Sequence, residues 1–238
     1  MRGVGRASIL LWSALSLACG AGRPPPTPPP ALDDDDGGSE RVRIAGIRLP
    51  RLPVDVSPDD ELLANGWAQT EVALRMPTPS PPEGEAWEVE AWASEELPRW
   101  MQRRAEAITT AQHALQTARD GDPRYSVVAS TLLGIAYSRF AMEVRSIPVP
   151  GAFAGDEERQ RELHDALEHA AYPIWLHAMD AFGSCSRVAA DAPAHSLARW
   201  REACDREIHE IEALIPDDPR PDEDEDEDED GHEDNEEQ

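Results

Sequence analysis

The chain contains no lysine, and all 22 of its basic residues are arginine. They are outnumbered by 48 acidic residues, which leaves a formal net charge of −26 at pH 7. A binder of nucleic acid or of anionic lipid headgroups needs a concentrated basic face, so this balance disfavours both as partners. Arginine suits bidentate anion contacts. Codon bias in a GC-rich genome explains the missing lysine more simply, and no function follows from it.

The chain also lacks the motifs that mark common catalytic sites. It has no Gly-x-Ser-x-Gly sequence, no glycine-rich phosphate loop and no His-Glu-x-x-His sequence. These absences argue against a serine hydrolase, a nucleotide-binding enzyme and a zinc hydrolase. We therefore expect a protein that is not an enzyme, with no catalytic residue and no cofactor.

The apolar stretch near the N-terminus is too short to span a bilayer, which needs ~20 residues. The short apolar stretch near residues 9–17 follows two arginines and ends at a small residue, as in an export signal. The order Leu15-Ser16-Leu17-Ala18-Cys19 resembles the lipobox of bacterial lipoproteins. The resemblance implies a signal peptide over 1–18 and lipidation of Cys19. Ordinary signal-peptidase cleavage after Ala18 or Ala21 is the alternative.

Residues 19–40 are expected to be a linker that carries the lipid anchor. Segment 23–30 contains six prolines, and segment 33–39 has four acids and no apolar residue, so neither can bury apolar area. An extended polyproline-type chain rises about 3.1 Å per residue, so twenty residues would reach roughly 60 Å. In lipoproteins an Asp after the cysteine marks inner-membrane retention. Gly20 in that position implies the periplasmic face of the outer membrane, with the cell surface as the alternative.

Residues 216–238 are predicted to be a disordered acidic tail. From residue 217 onward there are 15 acids against Arg220, a net charge of −14 without any apolar residue. Within the tail the string Asp-x-Asp-x-Asp-Gly-x5-Glu of a calcium loop is matched by Asp226, Asp228, Asp230, Gly231 and Glu237. Alternating acids match this string by chance, so we favour weak, non-specific cation condensation over a defined calcium site.

Residues 41–82 are predicted to form a small α+β or irregular cap and a proline-rich linker. Apolar residues with strand-like character alternate with arginines at Val42, Ile44, Ile47 and Leu49. Segment 71–76 alternates in the same way. Between them, Ser57-Pro58-Asp59-Asp60 predicts the start of a helix of about two turns that ends at Asn65-Gly66.

Residues 83–215 are predicted to form an all-α domain of antiparallel helical hairpins. A helix from about Pro98 to Arg119 has its apolar stripe at Trp100, Ile108, Ala111, Leu115 and Ala118, with Arg103, Arg104 and Glu106 off the stripe. Asp122-Pro123 is the expected start of the second helix of the hairpin.

Two further apolar stripes complete the predicted domain. The third runs from Leu163 to Phe182, and Pro173 interrupts it, so a kink or a break is expected near Tyr172. The last runs from Leu197 to Ile215. Trp175 and Trp200 are expected to anchor packing. Trp87 and Trp92 are candidates for a groove, but burial in the core is the favoured interpretation for each tryptophan.

Two segments of this domain resemble parts of a tetratricopeptide repeat. Leu133-Gly134-Ile135-Ala136-Tyr137 is similar to the Leu-Gly-x-x-Tyr core of the first repeat helix, and Ala178 to Phe182 is similar to the Ala-x-x-x-Phe of the second. Segment 182–204 is similar to the terminal repeat of tetratricopeptide-like exported proteins. The resemblance covers about a third of the chain without a 34-residue period, and it implies a helical scaffold.

The remaining cysteines and the histidines are the residues with possible chemistry in this domain. Cys185 and Cys204 are expected to form a disulfide in an oxidising periplasm, and a redox or metal-binding thiol pair is the alternative, without Cys-x-x-Cys spacing. His164 with Glu168, and Asp205 with His209, share helix faces at a spacing that a metal site could use. Chance pairing on an acidic helical surface is the simpler interpretation.

We interpret the chain as a lipid-anchored, periplasm-facing helical adaptor of tetratricopeptide-like type that binds a protein or peptide. One alternative is a metal-binding or hydrolytic envelope lipoprotein that uses the helix-face histidines and acids. Another is a structural envelope component whose acidic tail binds cations or a basic partner.

Overall fold

The computed structural model describes residues 42–192 and 197–215. Within those ranges the chain is mostly α-helical, so the predicted all-α class is confirmed. Several predictions lie outside the described residues, namely the lipidation site Cys19, the linker over 19–40, the tail over 216–238 and the calcium candidates Asp226, Asp228, Asp230 and Glu237.

A minimal β-hairpin opens the described chain. Strand β1 (Arg43–Ile44) pairs antiparallel with β2 (Ile47–Arg48), and Ile44 lies opposite Ile47. The turn residues Ala45 and Gly46 both have positive φ, at 46° and 86°, as two-residue hairpins require. Ile44 is buried. The strand character predicted here is confirmed, and the hairpin covers part of the helical core.

The prediction for the rest of the cap is wrong at two points. Helix α1 spans Ala64–Leu74, so segment 71–76 is mainly helical, and Asn65-Gly66 begins a helix where it was expected to end one. A Cβ at Gly66 would overlap the Leu115 side chain of the neighbouring helix. This glycine therefore allows close helix packing. In the sequence, a glycine with this role looks the same as a glycine that ends a helix.

The next three segments follow one another without a break: α2 (Ala86–Ala91), a π-helical turn (Trp92–Glu96) and α3 (Leu97–Arg119). Pro98 has no N–H to continue an α-helical ladder, and the wider turn lies directly before it. All five residues of the predicted α3 stripe are buried, which confirms it. Arg104, which was predicted to lie off the stripe, is fully buried with them, so that prediction is wrong.

Helix α4 (Pro123–Arg145) starts where Asp122-Pro123 predicted. Asp122 is its N-cap, and Oδ1 accepts the Arg124 N–H at 2.8 Å. α4 packs against α1 and α3 and against the two helices that follow. Its length and composition would suffice for a membrane span, yet 78% of its most apolar window is buried inside the protein. A helix at the centre of a protein core can be as long and as apolar as a membrane-spanning helix.

Helix α5 (Glu157–Asp191) continues through Pro173, so the alternative of a break near Tyr172 is wrong. Buried residues flank the proline on both sides, and packing against α4 holds the two halves in one helix: Leu167, Ala171, Ile174 and Trp175. Helix α6 (Ala198–Glu212) packs on α5.

The hairpin, α1 and the longer helices share one hydrophobic core. Several long-range hydrogen bonds join the first part of this unit to the rest. Trp200 Nε1 donates to the Arg51 carbonyl at 3.0 Å, and Arg104 Nη1 donates to the Met76 carbonyl at 3.0 Å. The region 42–76 is thus an integral part of the helical unit.

Candidate functional site

A large cavity lies where the end of α4, the first half of α5 and the segment after α6 meet. It encloses about 760 Å³ and is called the α4–α6 cleft below. Its wall combines aromatic and aliphatic side chains with charged groups of both signs: Arg145, His164, Asp165, Glu168, His169, Tyr172, Trp175, Ala213, Leu214 and Ile215. A cavity of this size and mixed lining is typical of a binding site.

Arg145 organises the charged side of the cleft. Its Nε donates to Glu168 Oε1, and its Nη1 donates to the Leu214 carbonyl at 3.3 Å. This one guanidinium therefore links α4 to α5 and to the chain beyond α6. The Glu168 carboxylate is only partly exposed, so solvent screens its attraction to Arg145 less than that of a surface pair.

The pair His164 and Glu168, predicted from spacing, is brought together at 3.7 Å between Nε2 and Oε1. The same Glu168 oxygen accepts a hydrogen bond from Arg145 Nε, so it is already paired with a cation. Among the described residues no three His, Cys, Asp or Glu side chains converge as a metal site would require. The pair belongs to the polar rim of the cleft.

The second predicted pair, Asp205 and His209, is not brought together. Asp205 accepts the Ser186 hydroxyl of α5 and lies 3.6 Å from Arg201. His209 instead has its Nδ1 3.6 Å from Glu212 Oε2. The two members therefore have separate partners.

Trp175 contributes the most deeply buried wall of the cleft, with only 2% of its surface exposed. Its indole N–H has no hydrogen-bond partner among the described residues. Tyr172, one turn earlier on α5, is half-buried. Together with Leu214 and Ile215 these rings give the cleft an apolar base beneath its charged rim.

The disulfide predicted between Cys185 and Cys204 is present and joins α5 to α6, with Cα atoms 6.3 Å apart. Both cysteines are fully buried. Thr131 Oγ1 on α4 lies 3.3 Å from each sulfur, so the bond sits at the point where three helices meet. Its position is that of a structural cross-link.

A smaller cavity of about 170 Å³ lies beside the hairpin, α4 and α6. Arg48, Arg139 and Arg206 line it together with Glu207. Burial raises the pKa of the Glu207 carboxyl, and the neighbouring Glu210 adds to this shift. Arg206 acts in the opposite direction and lowers it.

A third concave surface lies at the start of the long helices and contains both tryptophans that were candidates for a groove. This Trp87 groove encloses about 410 Å³ between the proline-rich segment, α2 and the π-helical turn. Trp87 is mostly exposed, whereas Trp92 is buried and forms part of the base. Core burial, the interpretation favoured for both residues, is confirmed for Trp92 and is wrong for Trp87.

The two segments that resemble a tetratricopeptide repeat pack against each other. A Cβ at Gly134 would lie 2.6 Å from Phe182 Cε1, so glycine lets α4 approach the Phe182 ring closely. Ala178, one turn before Phe182, is fully buried. Helices α4 and α5 are 23 and 35 residues long, too long for both to fit within a 34-residue repeat.

No protein-family model, curated protein or solved structure matches this chain. Function must therefore be argued from the sites themselves. Sequence reasoning identified two cleft residues, His164 and Glu168. It missed Arg145 and the segment 213–215, because their arrival at the cleft depends on how α4 and α6 pack, which leaves no local signal.

Proposed function

We propose that this protein is a lipid-anchored, periplasm-facing helical adaptor that binds a protein or peptide without catalysing a reaction. The α4–α6 cleft is the surface on which the proposal rests. An apolar base around Trp175 offers burial for a partner side chain, and the rim offers donors and acceptors of both signs. Protein interfaces combine an apolar centre with a polar rim in this way.

The ion pair of Arg145 and Glu168 supports binding over catalysis. A general acid or base needs a carboxyl or imidazole that is free to exchange a proton with substrate. Glu168 is held by Arg145 and lies beside His164. The rim thus presents Arg145 together with Asp165 and Glu168, charges of both signs, which suits recognition of a partner of mixed charge.

The lipid anchor completes the proposal. Lipidation at Cys19 would hold the protein at the membrane, and residues 19–40 would give the helical unit reach. Replacing Cys19→Ala should leave the protein exported and move it from the membrane fraction to the soluble periplasmic fraction. Mass spectrometry that finds an unmodified N-terminus in the wild type would refute the anchor.

Partner binding is tested by capture from solubilised membranes. The variant His164→Ala/Tyr172→Ala removes two accessible groups of the rim, and Asp180→Asn is the matched control, since Asp180 is exposed on α5 outside the cleft. We expect one or more proteins to be captured by the wild type and by Asp180→Asn, and to be lost with the double variant. Equal capture by all three proteins would refute the cleft as the binding surface.

A chelator separates the adaptor from the metal-binding alternative. Capture by an adaptor should be unchanged after treatment with a strong chelator. Capture that disappears with the chelator and returns with zinc or calcium would favour the metal-binding lipoprotein instead.

A further inference from the structure

Trp87 is a large aromatic side chain on α2 with 66% of its surface exposed. Aromatic residues are enriched at binding surfaces, because a rigid ring supplies much contact area at little entropic cost. The ring stands in the Trp87 groove, beside the apolar side chains of Pro82 and Ala91. This surface is separate from the α4–α6 cleft and shares no lining residue with it.

The groove is acidic. Glu88, Glu95 and Glu96 line it together with Arg99, so three negative charges against one positive leave a net charge of −2. Glu88 is fixed in place, since its Oε2 accepts the Glu85 N–H at 2.9 Å. Glu95 lies 3.7 Å from Arg99 in an exposed pair. Glu96 has no ionic partner within 4 Å among the described residues, and it is available to a cationic group of a ligand.

We infer that the Trp87 groove binds a proline-rich peptide with a flanking arginine. A polyproline helix has no internal hydrogen bonds and is already extended in solution, so it docks on exposed aromatic rings at low entropic cost. Trp87 supplies the ring on which prolines pack. The glutamates supply the charge that fixes the direction of the peptide through its arginine.

The burial of Trp92 distinguishes this ligand from a quaternary ammonium group. An aromatic cage surrounds its cation with the faces of several rings. Only 5% of the Trp92 surface is exposed, so Trp87 alone presents a broad ring face. One exposed ring beside a proline and an alanine gives an open, shallow groove, which fits the side of a polyproline helix.

The test uses fluorescence anisotropy of the full-length protein with a labelled oligoproline that carries one N-terminal arginine. We expect saturable binding. Trp87→Ala should weaken it at least about tenfold, as removal of a central aromatic anchor does. Val72→Ala is the control, since Val72 is an exposed apolar residue on α1 that does not line the groove. It should change the affinity less than twofold.

The acidic side is tested separately. Glu95→Gln/Glu96→Gln should weaken binding of the arginine-flanked probe several-fold at low salt. The loss should shrink at high salt, and it should be absent for a glutamate-flanked probe. Equal binding by Trp87→Ala and Val72→Ala, or no saturable binding of the probe, would overturn the inference. Saturable binding of tetramethylammonium in the absence of oligoproline binding would overturn it as well.

Discussion

Arg104 on α3 and Glu143 on α4 form a buried ion pair, with Nη2 and Oε2 2.9 Å apart. The Arg104 side chain is fully buried and that of Glu143 is 12% exposed. Arg104 also donates to the Met76 carbonyl, and Glu143 accepts from Arg139 at 2.8 Å. Burial lowers the pKa of the Arg104 guanidinium, and the Glu143 carboxylate partly offsets this effect. The pair joins α3, α4 and the end of the cap.

Removing one partner of this pair should destabilise the protein strongly. Glu143→Ala leaves Arg104 as an uncompensated buried charge, which costs about 3–5 kcal/mol of unfolding free energy. The exposed pair of Arg75 and Glu71 is the control, and Glu71→Ala should cost less than about 1 kcal/mol. Urea unfolding measures both. A loss for Glu143→Ala as small as that for Glu71→Ala would contradict the account of the pair.

Because α4 and α5 approach closely at Gly134, a Gly→Ala substitution should have opposite effects on stability at Gly134 and at Gly183. Gly134→Ala forces a methyl group against the Phe182 ring and should cost about 1–3 kcal/mol. Gly183→Ala meets no atom within 4 Å and should stabilise α5 by up to about 1 kcal/mol. Thermal melting compares the two. Similar shifts of the melting temperature in the same direction would show that Gly134 is not a contact site.

The helices were predictable because their apolar spacing is regular. The stripe of α3 and the cap at Asp122 are local signals, and both were found. Arg104 was predicted to lie outside the buried stripe because arginine is usually exposed, but it is fully buried. Its position four residues from both Trp100 and Ile108 puts it on the same face. The start of α1 at Ala64 could not be predicted, because Gly66 looks like a helix stop in the sequence. Its role is to let α1 pack closely against Leu115, and that contact is not visible in the sequence.

The disulfide between Cys185 and Cys204 closes a loop with a sequence separation of 19 residues. In the chain-entropy model such a loop contributes about 3 kcal/mol. Reduction should therefore lower the melting temperature by roughly 6–12 °C for a unit of this size. Peptide mapping without reductant should recover the two cysteines in linked peptides. Two free thiols in protein isolated without reductant would refute the bond.

Because Asp122 caps α4 through its carboxylate, the free energy of unfolding should fall when this group is protonated in acid. Hydrogen bonds from the Arg124 side chain and N–H hold the pKa of this carboxyl below its ordinary value of 3.8. The Asp122 pKa is lower in the folded than in the unfolded protein, so the ionised carboxylate stabilises the fold. This stabilisation is complete above the unfolded pKa and is lost as the pH falls through the folded pKa. Asp122→Ala should cost about 1 kcal/mol near neutral pH, and the difference from wild type should shrink in acid.

The control for this cap is Asp122→Asn. Asparagine keeps a side-chain oxygen that can cap α4 but has no charge to titrate. Its stability should exceed that of Asp122→Ala and should depend less on pH than that of the wild type. If Asp122→Asn and the wild type lost stability in parallel below pH 3.8, the carboxylate would not be the group responsible.

The candidate sites were predictable only where one helix carries them. His164 and Glu168 could be paired because they are four residues apart on one helix. The cleft itself needs Arg145 from α4 and Leu214 from beyond α6, and these are joined by a hydrogen bond across 69 positions. Such a contact is a property of helix packing and leaves no local pattern.

Site-specific photo-crosslinking in intact cells tests the central claim most directly. Benzoylphenylalanine in place of Tyr172 puts a reactive group at the α4–α6 cleft, and the same residue in place of Asp180 puts it on α5 outside the cleft. We expect ultraviolet light to give a discrete adduct of higher mass from position 172 and none from position 180. No adduct from position 172, or the same adducts from both positions, would contradict the proposal that the cleft binds a partner.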